Sequence, residues 1–230
     1  MTSRAGRAAS PAAPNDRFYR LAVALGRTVF RVCSRPVVLH AERSSTRGGA
    51  LLASNHVSPY DVVCLMNVCR RPIDFVSIVE LMDRPLVGAL FRALNCMALD
   101  RGRMDPVTAR EILGRLRAGR LVGMFPEGGL RPAEASVLRG GSMVSGIGQL
   151  AQLAAVPVIP CLVADTGNFA RRGAWLPLRR TRYAVAFGVP LRVREDQPRQ
   201  AARDELEERW RRSLLELEAE LEPRLTWPAR

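Results

Sequence analysis

With 47% hydrophobic and 25% charged residues over 230 positions, the chain has the balance of a globular protein with one sizeable domain, which excludes a disordered or fibrous class. Its net charge of +13 is carried by arginine alone, and that excess suits an anionic partner such as phospholipid headgroups, nucleic acid or a phosphorylated substrate. Five scattered cysteines with no CxxC pair and only two histidines argue against a Cys/His metal centre and for buried free thiols in a reducing compartment.

The charge is uneven. Residues 1–35 hold seven arginines against Asp16 alone, residues 168–194 hold seven arginines and no acid, and the tail 195–230 is net acidic. No secretory signal is visible, and no apolar run approaches the ~20 residues of a spanning helix. The expectation is a protein that is soluble or lies on a membrane without crossing it.

Residues 1–15 are rich in Ala, Ser, Pro and Arg and read as a disordered basic arm. Over 16–35, Phe18, Leu21, Ala22, Leu25, Val29, Phe30 and Cys33 recur at helical spacing, with Arg17, Arg20, Arg27 and Arg31 between them. This predicts a basic amphipathic helix, broken or kinked near Gly26. Such a helix either lies in a membrane interface or packs on its own domain. Residues 36–40 read as a first strand, with His40 structural, and 44–49 as a turn.

A strand over 50–54 leads into Ser54-Asn55-His56-Val57-Ser58-Pro59-Tyr60-Asp61. Ser58 followed by Pro59 predicts the start of a helix over 59–69. Asn55 and His56 then lie in a strand-to-helix turn, where side chains reach ligands. The spacing from His56 to Asp61 brings the carboxylate back over the turn, and a histidine held by a carboxylate is a general base in the right tautomer. A second reading needs no chemistry: Ser58-x-x-Asp61 is also a capping-box variant. That reading accounts for Ser58, Pro59 and Asp61 but not for the Asn-His pair.

Further on, 73–78 reads as a strand, 85–94 as a short helix and 95–99 as a strand ending in Asp100-Arg101-Gly102-Arg103. Arg101 and Arg103 there suit either a phosphate held by forked hydrogen bonds or a salt bridge to Asp100. A helix over 106–118 precedes a strand over 121–125 and the turn Pro126-Glu127-Gly128-Gly129-Leu130-Arg131-Pro132, whose glycines permit close approach of a ligand. A helix over 142–154, a strand over 156–163, a basic loop over 168–180 containing Trp175 and a strand over 183–187 follow. A closing helix over 201–222 has the stripe Leu206, Trp210, Leu214, Leu217 and Leu221 for core packing. Strands alternating with helices predict an α/β fold, a mixed sheet flanked by helices, with the N-terminal helix as an appendage. The polar turns after strands are where such folds place ligands.

Asn55-His56-x-Ser58-x-x-Asp61, Leu99-Asp100-Arg101, Phe125-Pro126-Glu127-Gly128 and Val156-Pro157-Val158-Ile159-Pro160 occur in this order. Together they resemble the glycerolipid acyltransferases, specifically the lysophosphatidate (1-acyl-glycerol-3-phosphate) acyltransferase family, over about residues 37–190. The resemblance implies an acyltransferase domain over 36–230. It implies acyl transfer from acyl-CoA or acyl carrier protein to the free hydroxyl of a lysophospholipid, foremost 1-acyl-glycerol-3-phosphate giving phosphatidate. His56 would be the general base and Asp61 its orienting carboxylate, with direct attack on the thioester and no acyl-enzyme. Asn55, Ser58, Arg101, Glu127, Gly128, Gly129 and Arg131 would bind substrate, with Arg101 and the Glu127-Gly128 turn around the phosphate; the fourth motif would line the acyl region. No metal or cofactor beyond the acyl donor is implied, and the protein would sit peripherally on the cytoplasmic face of an anionic membrane.

The family commonly continues Glu-Gly-Thr-Arg, whereas this chain has Glu127-Gly128-Gly129-Leu130-Arg131, with the arginine one residue late. That departure leaves open a different lysolipid or lipid-like alcohol as acceptor. A non-enzymatic membrane-surface protein of the same fold also remains open. Nucleic-acid binding has only charge behind it, against 6% aromatic residues and no helix-turn-helix or zinc pattern. A serine hydrolase lacks its Gly-x-Ser-x-Gly elbow.

Overall fold

The computed structural model describes residues 14–99, 106–131, 133–143, 146–177 and 180–225. The basic arm up to residue 13, and Arg101 and Arg103 with the turn around them, lie outside the described residues. Seven strands form one sheet: β1 (Ser34–Leu39), β2 (Ala50–Ser54), β3 (Ile73–Ile78), β4 (Met97–Leu99), β5 (Leu121–Met124), β6 (Val158–Ala164) and β7 (Thr181–Phe187). Their spatial order is β1-β7-β6-β2-β5-β3-β4. Strands β2 to β6 run parallel, while β7 pairs antiparallel with β6 and parallel with β1. The sheet is mixed, and the carboxyl ends of β2, β5 and β6 share one edge.

Strand β2 is buried along its whole length. Leu51 and Ala53 face one core, Ala50 and Leu52 the other, the period-two alternation of a strand covered on both faces. The first core lies under helices α5 (Pro106–Arg117), α6 (Ile147–Ala154) and α7 (Arg199–Leu225); the second lies under α1 (Asp16–Cys33) and α2 (Asp61–Val68). Short helices α3 (Val79–Met82) and α4 (Pro85–Ala93) lie between β3 and β4 in the chain. The indole of Trp210 in α7 donates to the Ala53 carbonyl at 3.0 Å, which anchors the longest helix three residues before His56. Gly123 in β5 has a packing reason: a Cβ there would stand 2.6 Å from Ile73 and 2.8 Å from Phe75.

Most predicted elements appear within a few residues of their expected bounds. The exceptions have local causes. Helix α1 runs unbroken through Gly26, where an added Cβ would meet nothing within 4 Å, so no close packing requires the glycine. Helix α6 begins at Ile147 rather than 142, after Gly146 at φ +150°, a backbone open chiefly to glycine. Helix α2 begins at Asp61 rather than 59, because Pro59 and Tyr60 form a turn closed by the Asp61 N–H on the Ser58 carbonyl at 3.1 Å.

Helix α1 has two stripes. Tyr19, Phe30 and Cys33 are buried, and Arg27 donates to the carbonyls of Asn67 and Cys69 at the end of α2. Phe18, Leu21, Leu25, Val29 and Val32 are exposed. The inner stripe makes α1 a layer of the domain. Its first turn is tied to the sheet by charge: buried Asp74 of β3 accepts from Arg115 at 2.9 Å and from Arg120, and Arg120 reaches Asp16 at 2.8 Å. The Arg120 guanidinium holds the Asp16 carboxyl below its ordinary value of 3.8. A lowered folded-state value means the contribution is complete above the unfolded value and is lost as pH falls through the folded one. The stability difference between the wild type and Asp16→Asn, read as Tm by circular dichroism, is therefore expected to be constant near neutrality, to shrink below about pH 4 and then to close.

Candidate active site

The stretch after β2 folds around one carboxylate. Asp61, fully buried at the first position of α2, lies 2.8 Å from Nδ1 of His56 through Oδ2. The same oxygen accepts the backbone N–H groups of Val57 at 2.9 Å and Ser58 at 3.0 Å. The capping and the histidine-orienting readings are thus both met, by one atom. A carboxylate oxygen only accepts, so Nδ1 carries the proton and Nε2 of the neutral ring carries the lone pair. The side chain of His56 is 16% exposed, and Nε2 has no partner among the described residues. Burial pushes the Cys64 and Cys161 thiols up, and the negative Asp61 adds to the effect, so neither is a thiolate nucleophile near neutrality.

A second carboxylate holds the backbone of the same histidine. Glu127, in the turn after β5, is fully buried. Its Oε2 accepts the His56 N–H at 2.9 Å; Oε1 accepts the Ser136 hydroxyl and the Val137 N–H, each at 2.8 Å. The His56 carbonyl accepts the Arg131 N–H at 2.9 Å. The ring of Phe125 lies flat on the imidazole, 3.9 Å between centroids and 12° between planes, and is backed by Phe75 at 6.0 Å. Phe75 lies over Gly123, where a side chain would displace it.

The expected substrate-binding residues therefore divide. Asn55 is buried, with its amide donating to the Val163 carbonyl at 3.0 Å and accepting the Val163 N–H at 2.8 Å, so it staples β2 to β6. Glu127 spends both oxygens on the protein itself. The hydroxyl of Ser58, also buried, accepts the Tyr60 N–H at 3.2 Å. These three are buried and spend the polar atoms named on the protein itself, where they build the turn. Gly128 (φ +71°) is exposed and Gly129 and Arg131 are half-buried, with the Arg131 guanidinium resting on the Glu127 carbonyl through Nε and Nη2, each at 3.3 Å. Arg101 lies outside the described residues. Sequence reasoning missed Ser136 and Thr166, whose hydroxyl donates to Oδ1 of Asp61. Thr166 is 105 positions from Asp61, so no spacing rule links them.

The α/β sheet thus carries a histidine paired with a buried carboxylate at the carboxyl edge of its central strands, the edge where such folds place ligands. Residues 35–164 match the family model described as Acyltransferase, and the chain belongs to that family. It is 28% identical over 160 residues to the 1-acyl-sn-glycerol-3-phosphate acyltransferase of Escherichia coli strain K12, which covers 66% of this chain and 58% of that one. It is 24% identical over 124 residues to the enzyme of the same name from Bacillus subtilis strain 168, covering 54% and 59%. The chain thus spans rather more than half the length of these two curated relatives. The crystal structure of the 1-acyl-sn-glycerophosphate acyltransferase of Thermotoga maritima has the same fold, with a TM-score of 0.65 at 20% identity over 93% of this chain and 84% of that one.

Asn55→Ala would leave the buried amide and carbonyl of Val163 without partners, at a cost of about 2 kcal/mol. The expected result is a Tm lower by about 4–8 °C in a thermal melt, with the Km for any substrate unchanged in the folded fraction.

Proposed function

We propose that the protein transfers a fatty acyl chain from an acyl thioester, on CoA or an acyl carrier protein, to the free hydroxyl of a lysophospholipid, foremost 1-acyl-glycerol-3-phosphate. The observation that carries this reading is the imidazole fixed through Nδ1 on Asp61, its side chain 16% exposed and its Nε2 without a partner among the described residues. Nε2 takes the hydroxyl proton as the oxygen attacks the thioester carbonyl. The tetrahedral intermediate collapses with rupture of the C–S bond, and the imidazolium returns its proton to the departing thiolate, giving ester and free thiol. Asp61 stabilises the imidazolium formed between the two steps. Arg131, pinned through Nε and Nη2, keeps Nη1 for an anionic headgroup beside the ring. Thiol release from acyl-CoA, followed across a panel of lysolipids, tests the reading. Turnover is expected with lysophosphatidate, and His56→Ala and Asp61→Asn should lower kcat by roughly 10²–10⁴. A wild-type chain that releases no thiol with any acceptor would leave only the fold.

The same reading places the protein on a lipid surface. Phe18, Leu21, Leu25, Val29 and Val32 line the exposed stripe of α1, flanked by Arg17, Arg20 and Arg31, and Trp175 stands partly exposed against Phe30. Among the described residues no helix is long and apolar enough to cross a membrane. Basic residues beside an apolar stripe suit peripheral attachment to anionic headgroups. In sedimentation with vesicles of anionic phospholipid, Leu25→Glu is expected to weaken binding by about tenfold, and raised salt to weaken the wild type.

A further inference from the structure

We infer that Thr166 is a positioning residue of the acyl-transfer site: its buried hydroxyl fixes the rotation of the Asp61 carboxylate and, through it, the ring of His56. The inference rests on the reading of His56 as general base. The three groups on Oδ2 of Asp61, the ring of His56 and the amides of Val57 and Ser58, all belong to the turn that Asp61 itself closes. They travel with that turn. The terminal torsion of an aspartate is soft and broadly two-fold, so donors gathered on one oxygen leave the plane of the carboxylate weakly defined. Oδ1 is held by the hydroxyl of Thr166, which arrives from the turn after β6. A donor on each oxygen fixes the plane, and the plane sets where Oδ2 meets Nδ1.

Thr166 is well mounted for this. Strand β6 ends at Ala164, and Asp165 turns the chain at φ +60°, a left-handed conformation that aspartate tolerates better than most residues. Departures of this kind cluster where a side chain must be aimed. The 3-10 turn that follows, Thr166–Ala170, is secured by the Asn168 amide on the Arg182 carbonyl at 3.1 Å and by Phe169, buried against Phe30 and Tyr183. Thr166 itself is fully buried. Threonine is also stiff at its first torsion, so its hydroxyl has few directions to choose from. A methyl in its place would keep the volume and leave Oδ1 sealed from water without a donor.

Three full-chain variants, assayed for thiol release with acyl-CoA and lysophosphatidate, test the assignment. Thr166→Val is expected to lower kcat by about 10- to 100-fold with little change in either KM, the cost of a slightly misplaced base. Thr166→Ser restores the donor and is expected to recover to within a few-fold of wild type. In an Asp61→Asn background, Thr166→Val should add almost nothing, because the group it acts through is already changed. Proton NMR of the His56 Nδ1–H reads the same bond without turnover: its low-field resonance should move or broaden in Thr166→Val and return in Thr166→Ser. If Thr166→Val does not fold, Thr166→Cys, a far weaker donor, takes its place under the same criteria. Wild-type kcat and an unmoved resonance in Thr166→Val overturn the inference, as do an uncorrected Thr166→Ser or a full multiplicative loss on Asp61→Asn. If the wild type itself releases no thiol, the acyl-transfer reading fails, and the resonance still decides whether Thr166 positions the pair.

Discussion

One histidine is held by two buried carboxylates, and the loops of the site are arranged to make that burial tolerable. An isolated carboxylate inside a protein is strongly unfavourable unless its oxygens are hydrogen-bonded. Asp61 takes four donors and Glu127 three, all from the protein. Asp61 fixes the ring, Glu127 fixes the backbone, and each spends its second oxygen on a hydroxyl: Asp61 on Thr166 from the turn after β6, Glu127 on Ser136 from its own connection after β5. The turn that carries His56 is thereby tied to its neighbours on both sides in the sheet. On the proposed reading such preorganisation would serve a general base, which would reach its proton donor without further reorganisation.

The sheet supplies the footing. Asn55 joins the end of β2 to β6, Trp210 of α7 holds the Ala53 carbonyl, and Gly123 leaves the space in which Phe75 backs Phe125 against the imidazole. The glycine in β5, a position that costs intrinsic strand stability, is explained by an aromatic stack that ends on the histidine. At the opposite edge the Asp16–Arg120–Asp74–Arg115 network fastens the start of α1. Fixing α1 there holds its inner stripe on the second core and leaves the outer stripe for a surface.

What could be read in the sequence was whatever is written in local spacing. Seven strands, the amphipathic helices and the His56–Asp61 pair all follow from periods and intervals of a few residues, and the structure has them. The roles of Asn55, Ser58 and Glu127 did not follow. Polar residues in a strand-end turn look alike in sequence whether they face a ligand or the core; only burial and the donors around each oxygen separate the two cases. Thr166 had no signal, because Asp61 is 105 positions away and adjacent only once β6 flanks β2; Ser136 lies nine residues from Glu127, outside any helical or strand repeat. Gly26 misled for a related reason: glycine lowers helix propensity, but α1 is held by Tyr19, Phe30, Arg27 and Asp16, and tertiary packing outweighs one weak position.

The one departure from the family's common motif is absorbed without disturbing the pair. Between Glu127 and Arg131 the chain carries one residue more than Glu-Gly-Thr-Arg. Gly128 takes a left-handed conformation, and Leu130 is pushed out to 50% exposure. The Arg131 N–H nevertheless lands on the His56 carbonyl, and its guanidinium folds back on the Glu127 carbonyl. Both ends of the longer loop are therefore fixed to the clamped turn, and the extra length is confined to its outer bend. The missing threonine hydroxyl and the added leucine alter the outer bend of the loop, while the His56–Asp61 hydrogen bond beside it stays in place. On the proposed acyl-transfer reading, acceptor selectivity would rest on the outer bend of this loop and proton transfer on the turn that carries His56, so either could vary while the other is kept.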